Sequence, residues 1–421
     1  MNKKKIINDP VYGFVSIPSG LVFDLLQHPY LQRLRYVKQV SMTHLVYPGA
    51  LHTRFQHVIG AMHLMQLALD TLKGKGVAIS EVEEEAALVA ILLHDIGHGP
   101  FSHSLEHTII EGVSHEVISA LMMDRLNQEF NGRLDLAIII FNNKYNRKFF
   151  HQLVSGQLDT DRMDYLNRDS FFTGVSEGVI SYDRIIKMLD VIDNRLVVDS
   201  KGIYSVENFL IARRLMYWQV YLHKTVIGAE QMLIKALARA KKLSAEGVAL
   251  FATPALQHFL TQTVNASNFI SEPAHLKWFA LLDDTDIMSA LKVWSQHPDY
   301  ILRTLCSRLL NRSLFRTEMR STDFHPQDIA RLKELVQTTF GIAAAEVDYF
   351  VYYQVVANSA YNPSEDTISI VNSKGELLDI AEASDLSNLE SLSKKVVKYA
   401  LTFPKEVQFI EYSKIADKII K

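Results

Sequence analysis

Cysteine is nearly absent, with Cys306 the single example in 421 residues. That excludes an intramolecular disulfide and any Cys-rich zinc or iron–sulfur site, and it points to a reducing compartment. Long apolar runs are also missing. The strongest, residues 86–93, is well short of the roughly 18 residues that span a bilayer, and it stops at His94-Asp95. The basic start, MNKKK, has no apolar segment behind it and does not read as a secretory leader, so a cytoplasmic location without a membrane anchor is expected. Neither sign of charge is in excess. Lys plus Arg total 44 against 47 Asp plus Glu, a net charge of −3, which excludes a general nucleic-acid coat while leaving a local basic patch open. What the chain does have is 48% hydrophobic residues, the balance of a globular protein. Its length fits two or three domains at about 100–200 residues each.

Histidine is the abundant exception, at 16 residues. His28, His44, His52, His57, His63, His94, His98, His103, His107 and His115 all fall between Gln27 and Glu116. Most of the surrounding chain has helical periodicity. Before it, residues 5–17 alternate around Asn8-Asp9-Pro10 and Gly13 and predict two short strands joined by a turn. The clearest helix runs over 81–94, with Ser80 as N-cap and Glu83 at the capping-box position. A further helical stretch covers 212–243 and continues with interruptions to about residue 335. Beyond it the texture becomes β-like at 347–357, 367–371 and 396–403, with Asn372-Ser373-Lys374-Gly375 as a hairpin turn. The fold expected is mainly α, a helical core over 1–330 and a small α+β appendage over 331–421.

The apolar helix ends in His94-Asp95, where an unpaired carboxylate would carry a large desolvation cost. A divalent metal would cancel it, since imidazole and carboxylate are both good ligands. A buried His-Asp hydrogen bond would serve as well. The continuation, His94-Asp95-Ile96-Gly97-His98-Gly99-Pro100-Phe101-Ser102-His103-Ser104-Leu105-Glu106-His107, is too rich in imidazole and carboxylate for packing alone. A second segment, residues 48–57, offers His57 as a ligand and Arg54 as a phosphate fork. A third, residues 158–169, holds aspartates at helical spacings, with Asp161 able to share a face with Asp164 or Tyr165.

These segments in this order, TRFQH, HDIGHGPFSH and DTDRMDYLNRD, together with residues 7–10 and 32–39, resemble the HD-domain superfamily of metal-dependent phosphohydrolases, and within it the deoxynucleoside triphosphate triphosphohydrolases. The resemblance runs from residue 5 to about 170. It implies one divalent ion (Mn, Mg, Fe, Ni or Zn) held by His57, His94, Asp95 and Asp161. It places His98, His115 and an acid at Glu106 beside the scissile phosphate, with His103 a further candidate. In this role a protonated imidazole gives its proton to the leaving oxygen. Glu106 stands where the relatives carry aspartate. Arg54 and Arg162 match phosphate-gripping positions, Tyr165 packs on the sugar, Asp169 accepts from the 3′-hydroxyl, and Gln39 meets the base or sugar. Within 213–224, Tyr221, His223 and Lys224 are candidates for triphosphate contacts, against the reading of that stretch as an ordinary amphipathic helix. Asp159 and Asp164 read as helix-pairing residues, and His52 as unassigned.

The function implied is hydrolysis of deoxynucleoside triphosphates to deoxynucleoside and inorganic triphosphate by a homo-oligomer, dimer or tetramer. A nucleotide activator stays open, but Gln27 replaces an aspartate that reads guanine in vertebrate relatives, and Gln lacks the paired acceptors. The alternatives are another HD phosphohydrolase, acting on nucleoside monophosphates, (p)ppGpp or a cyclic dinucleotide, or a nucleotide- or nucleic-acid-binding regulator using the same pocket. Nucleic acid is the less favoured partner.

Overall fold

Residues 5–17 form the expected hairpin, Lys5–Asp9 antiparallel to Gly13–Ile17. Asp9 makes the turn, its Oδ1 accepting the Val11 and Tyr12 amides at 2.9 and 3.0 Å. The computed structural model describes residues 5–102, 108, 110–362, 366–385 and 393–410. His103, Glu106 and His107 lie outside the described residues.

Four helices frame the site. Helix α1 (Arg54–Gly74) opens on a capping box between Thr53 and Gln56. Helix α2 (Glu81–Leu93) opens on the expected Ser80–Glu83 box. Its residues 86–93 are all buried, the mark of a helix surrounded by protein on every side. Helix α3 (His115–Glu129) is capped by the Ser114 hydroxyl. Helix α4 (Thr160–Thr173), capped by Asp159 and stopped by Gly174 in the left-handed region, packs along α1. Gly97 lets the turn after α2 meet α3, because a Cβ there would lie 2.2 Å from the His115 carbonyl oxygen.

The helix expected over 212–243 is two helices, α5 (Ile203–Met216) and α6 (Lys224–Ala245), joined by a π turn, Tyr217–Tyr221. The His223 ring caps α6 by accepting the Thr225 amide at 3.2 Å, so the chain restarts where periodicity alone suggests continuity. The hairpin Leu189–Ile192/Arg195–Asp199 has no counterpart in the sequence reading. Its two-residue turn, Asp193-Asn194, carries positive φ at both positions, 49° and 62°, the requirement of a primed turn.

In the last third, the 347–357 stretch divides into a 3₁₀ turn, Ala344–Tyr349, and a strand, Tyr352–Asn358. Val396–Phe403 is the central strand of an antiparallel sheet between Arg316–Arg320 and Tyr352–Asn358. Ser369–Val371 and Leu377–Asp379 flank the expected turn and add to the Arg195–Asp199 hairpin, with Ser369–Val371 parallel to it. Both sheets therefore join residues on either side of position 331. The protein is mainly α-helical with small sheets. Among the described residues, no helix is long and apolar enough to cross a membrane.

Candidate metal centre and active site

Helices α1, α2 and α4 bring three candidate ligands to one point. His57 is buried on the first turn of α1, His94 is the C-cap of α2, and Asp161 lies in the first turn of α4. Their donor atoms can share an ion. His57 Nε2 lies 3.1 Å from Asp161 Oδ1 and 3.4 Å from His94 Nε2, and His94 Nε2 lies 3.4 Å from Asp161 Oδ1. Asp95, the fourth expected ligand, stands beside this group rather than in it, 3.7 Å from His57 Nε2 and 3.5 Å from His94 Nε2, with Arg54 on its Oδ2 and His98 near its Oδ1.

Each imidazole is turned by a partner on its other nitrogen. His57 Nδ1 is 2.7 Å from Asp164 Oδ2, and His94 Nδ1 is 2.6 Å from the Ile91 carbonyl oxygen. Such partners fix the tautomer that offers Nε2 to a metal. Asp164 in turn receives Arg168 Nε at 2.9 Å and Nη2 at 3.0 Å, while Arg168 Nη1 reaches Asp9 at 2.8 Å. Asp164 thus pairs within its own helix, as expected of it, but its larger consequence is the orientation of His57. Gly60 makes room, because a Cβ there would meet Asp164 Oδ1 at 2.0 Å.

The charge balance fits a cation. Burial alone would depress the His57 imidazole, yet its hydrogen bonds to Asp161 and Asp164 and the nearby Asp164 and Asp95 charges raise its pKa to about 10. Burial likewise opposes ionisation of Asp161, but the two histidines hold its carboxyl well below the usual range. Two imidazoles and the Asp161 carboxylate form a mixed nitrogen–oxygen set suited to a divalent first-row metal.

The cluster lies at the wall of a cavity of about 1000 Å³. His98 Nδ1 is 3.3 Å from Asp95 Oδ1, and its ring lies 3.9 Å, centroid to centroid, from that of His115. The two expected proton-transfer residues thus meet beside the metal cluster. Gln39, Arg54, Arg162, Tyr165, Asp169 and Tyr221 also line the cavity. Arg162 is steered by Asp159, whose carboxylate lies 3.6 Å from Nε and accepts the Arg162 amide at 2.6 Å. Burial raises the Asp159 carboxyl to about 6, against the pull of Arg162.

Some expected contacts take a different form. Arg54 pairs with Asp95 through Nη1 and donates to Ser102 Oγ from Nη2 at 2.7 Å, so both arms of the fork are engaged inside the protein. Both oxygens of Asp169 are engaged too, by His52 Nε2 at 2.6 Å and the Tyr221 hydroxyl at 2.7 Å. His52 is thus a partner the sequence reading missed; its pairing spans 117 positions and leaves no local signature. Tyr217, on the π turn, is a second omission and lines the cavity with Tyr221. His223 serves as the α6 cap and Lys224 is exposed, and neither belongs to the cavity wall among the described residues.

This geometry accords with the comparisons. The HD domain model matches residues 54–195, and the HD associated region model matches residues 180–269. A phosphohydrolase of Bacteroides thetaiotaomicron of known structure is 54% identical, covering 96% of this chain and 100% of that one, with a TM-score of 0.93. The uncharacterized protein YwfO of Bacillus subtilis is 32% identical over 97% of this chain and 94% of its own. A Dictyostelium discoideum protein, the deoxynucleoside triphosphate triphosphohydrolase SAMHD1 homolog, is 32% identical over 56% of this chain. The match spans 49% of that relative's length. With a matching domain model, near full-length likeness to a phosphohydrolase, and a His57, His94 and Asp161 cluster whose ligand atoms can share an ion, the chain belongs to the HD-domain phosphohydrolase family.

Proposed function

We propose that the protein hydrolyses deoxynucleoside triphosphates to deoxynucleoside and inorganic triphosphate. The observation carrying this reading is the His98–His115 pair beside the His57, His94, Asp95 and Asp161 cluster, on a cavity large enough for a nucleotide. Likeness to the Dictyostelium triphosphohydrolase supports the substrate class. A divalent ion held by the cluster supplies activation of water and positive charge for phosphoryl oxygens.

The chain's own residues do the rest. Arg162, braced by Asp159, faces the phosphates with a planar donor fork. Tyr165 and Tyr221, 6.0 Å apart and edge to face, form an aromatic wall for sugar and base. Tyr221 and His52 hold the Asp169 carboxylate, which faces the sugar hydroxyl. Gln39 Oε1, buried and without a partner among the described residues, is available to the nucleoside. The oxygen of water bonds to the α-phosphorus as the bond to the 5′-oxygen breaks, and His98 gives that oxygen a proton, with His115 holding the imidazole in place. Glu106 and His103 are assigned to this proton relay on sequence grounds.

On this reading the protein acts in the cytosol as a homo-oligomer, with its nucleotide substrate as principal partner. Metal-loaded protein is to be incubated with each deoxynucleoside triphosphate, singly and in mixtures that would reveal an activator, and the products separated by ion-exchange chromatography. Deoxynucleoside and triphosphate are expected. Release of pyrophosphate and monophosphate, or no release from any of them, would sink the assignment.

A further inference from the structure

The turn ahead of helix α7 (Asp284–Trp294) meets the metal-binding loop from a part of the chain that the family models, which end at residue 269, do not reach. Asp284 is 3% exposed. Its Oδ1 accepts the Phe101 amide at 2.8 Å, and its Oδ2 accepts the Lys38 amide at 3.1 Å and the Lys38 ammonium at 3.3 Å. One carboxylate therefore joins two loops that form separate parts of the cavity wall, one carrying Gln39 and the other Ser102.

The Phe101 amide is held where backbone conformation needs support. Phe101 and Ser102 are both in the left-handed region, at φ 51° and 53°, which is unfavourable for side chains of this kind. Ser102 then receives Arg54, and Arg54 reaches the ligand Asp95. The same turn holds the loop at a second level. Buried Arg33 donates from Nη1 to the Leu282 carbonyl at 2.9 Å, and from Nη2 to the Ile96 and His98 carbonyls, both at 2.8 Å. The chain from Leu282 to Asp284 thus braces the segment that contains His98 from below and from its exit.

We propose that Asp284 is a positioning residue, whose carboxylate fixes the 97–102 loop against the 38–39 loop and so sets Ser102, Arg54 and Asp95 for the reaction. Its kinetic consequence rests on the proposed hydrolase reading; its structural consequence does not.

The test compares metal-loaded full-length protein with Asp284→Asn, which keeps the shape but replaces one acceptor oxygen with a donor. Amide hydrogen exchange is measured on peptides covering 97–102 and 37–40, alongside kcat, KM and metal content. A local rise in exchange in both peptides, exceeding that elsewhere, is expected. So is at least a tenfold fall in kcat with little change in KM and metal content retained. Lys38→Met, which removes only the ammonium contact, is expected to give a smaller rise in the same two peptides and carries the test if Asp284→Asn does not fold. Unchanged exchange in both peptides, or a uniform rise through the whole fold, overturns the proposal. So does a normal kcat in Asp284→Asn. If the unsubstituted protein hydrolyses no deoxynucleoside triphosphate, the hydrolase reading fails and the exchange measurement alone decides the positioning role.

Discussion

Behind His57, polar side chains follow one another: the imidazole, Asp164, Arg168 and Asp9, joined by contacts of 2.7–3.0 Å. In the sheet of the last third, Leu401 and Phe403 are fully buried with Phe350, and Phe315 lies 5.5 Å from Phe350. A hydroxyl pair, Thr317 with Thr402 at 2.8 Å, is the polar feature buried beside them. The first region is held by matched charges and the second by apolar packing. Buried charges cost free energy unless every partner is present, whereas apolar packing fails by volume. Damage to the two regions should therefore differ in kind.

The largest effect is expected at the ligands. His94→Ala or Asp161→Ala should abolish both metal content and turnover, and a variant retaining either at the unsubstituted level removes the metal centre from the account. Next is Asp164→Ala, which leaves Arg168 and His57 without their shared carboxylate. A loss of about 3–5 kcal/mol in urea denaturation is expected, from the uncompensated buried charge. Metal affinity should fall by about 10–100-fold, because the partner orienting His57 is gone. Equal stability with and without Asp164 would erase the contrast between the regions.

In the sheet region, a Cβ on Gly228 would meet Thr317 Oγ1 at 2.5 Å. Gly228→Ala should cost about 1–3 kcal/mol by overpacking while leaving metal content unchanged. The smallest effect is electrostatic and peripheral. Burial opposes ionisation of Glu83, but the Ser80 amide, Arg147, the Tyr145 hydroxyl and the Ser80 hydroxyl lower its pKa from 4.5 to about 2. Because the folded value is depressed, this contribution is fully present above pH about 4.5 and is lost as pH falls through about 2. Thermal melts of the native chain and Glu83→Gln should diverge above that window and converge below it. The melting difference for Gly228→Ala should stay flat over the same range, and a pH-dependent difference there would undo the comparison.

The legible parts of this protein share a cause. Helix α2 could be read because its cap, Ser80 with Glu83, and its apolar run are local. His57, His94 and Asp161 could be singled out because their segments, TRFQH, HDIGHGPFSH and DTDRMDYLNRD, resemble those of the HD-domain family. The break at Tyr217–Tyr221 could not, since one π turn between two helical stretches is too short to show as a change of local composition. The hairpin at 189–199 was masked for a similar reason, following directly on the helix Tyr182–Met188.

Sequence by itself therefore determined the helical class and the caps, because each follows from neighbours within a turn or two, and its resemblance to a family named the candidate ligands. Only the tertiary structure decided which partner each charge keeps. Asp164 serves His57 across 107 positions, Asp9 serves Arg168 across 159, and Asp284 reaches Lys38 across 246. A buried charge accepts whatever complementary group the packed chain delivers to it, and nothing in local spacing records that delivery.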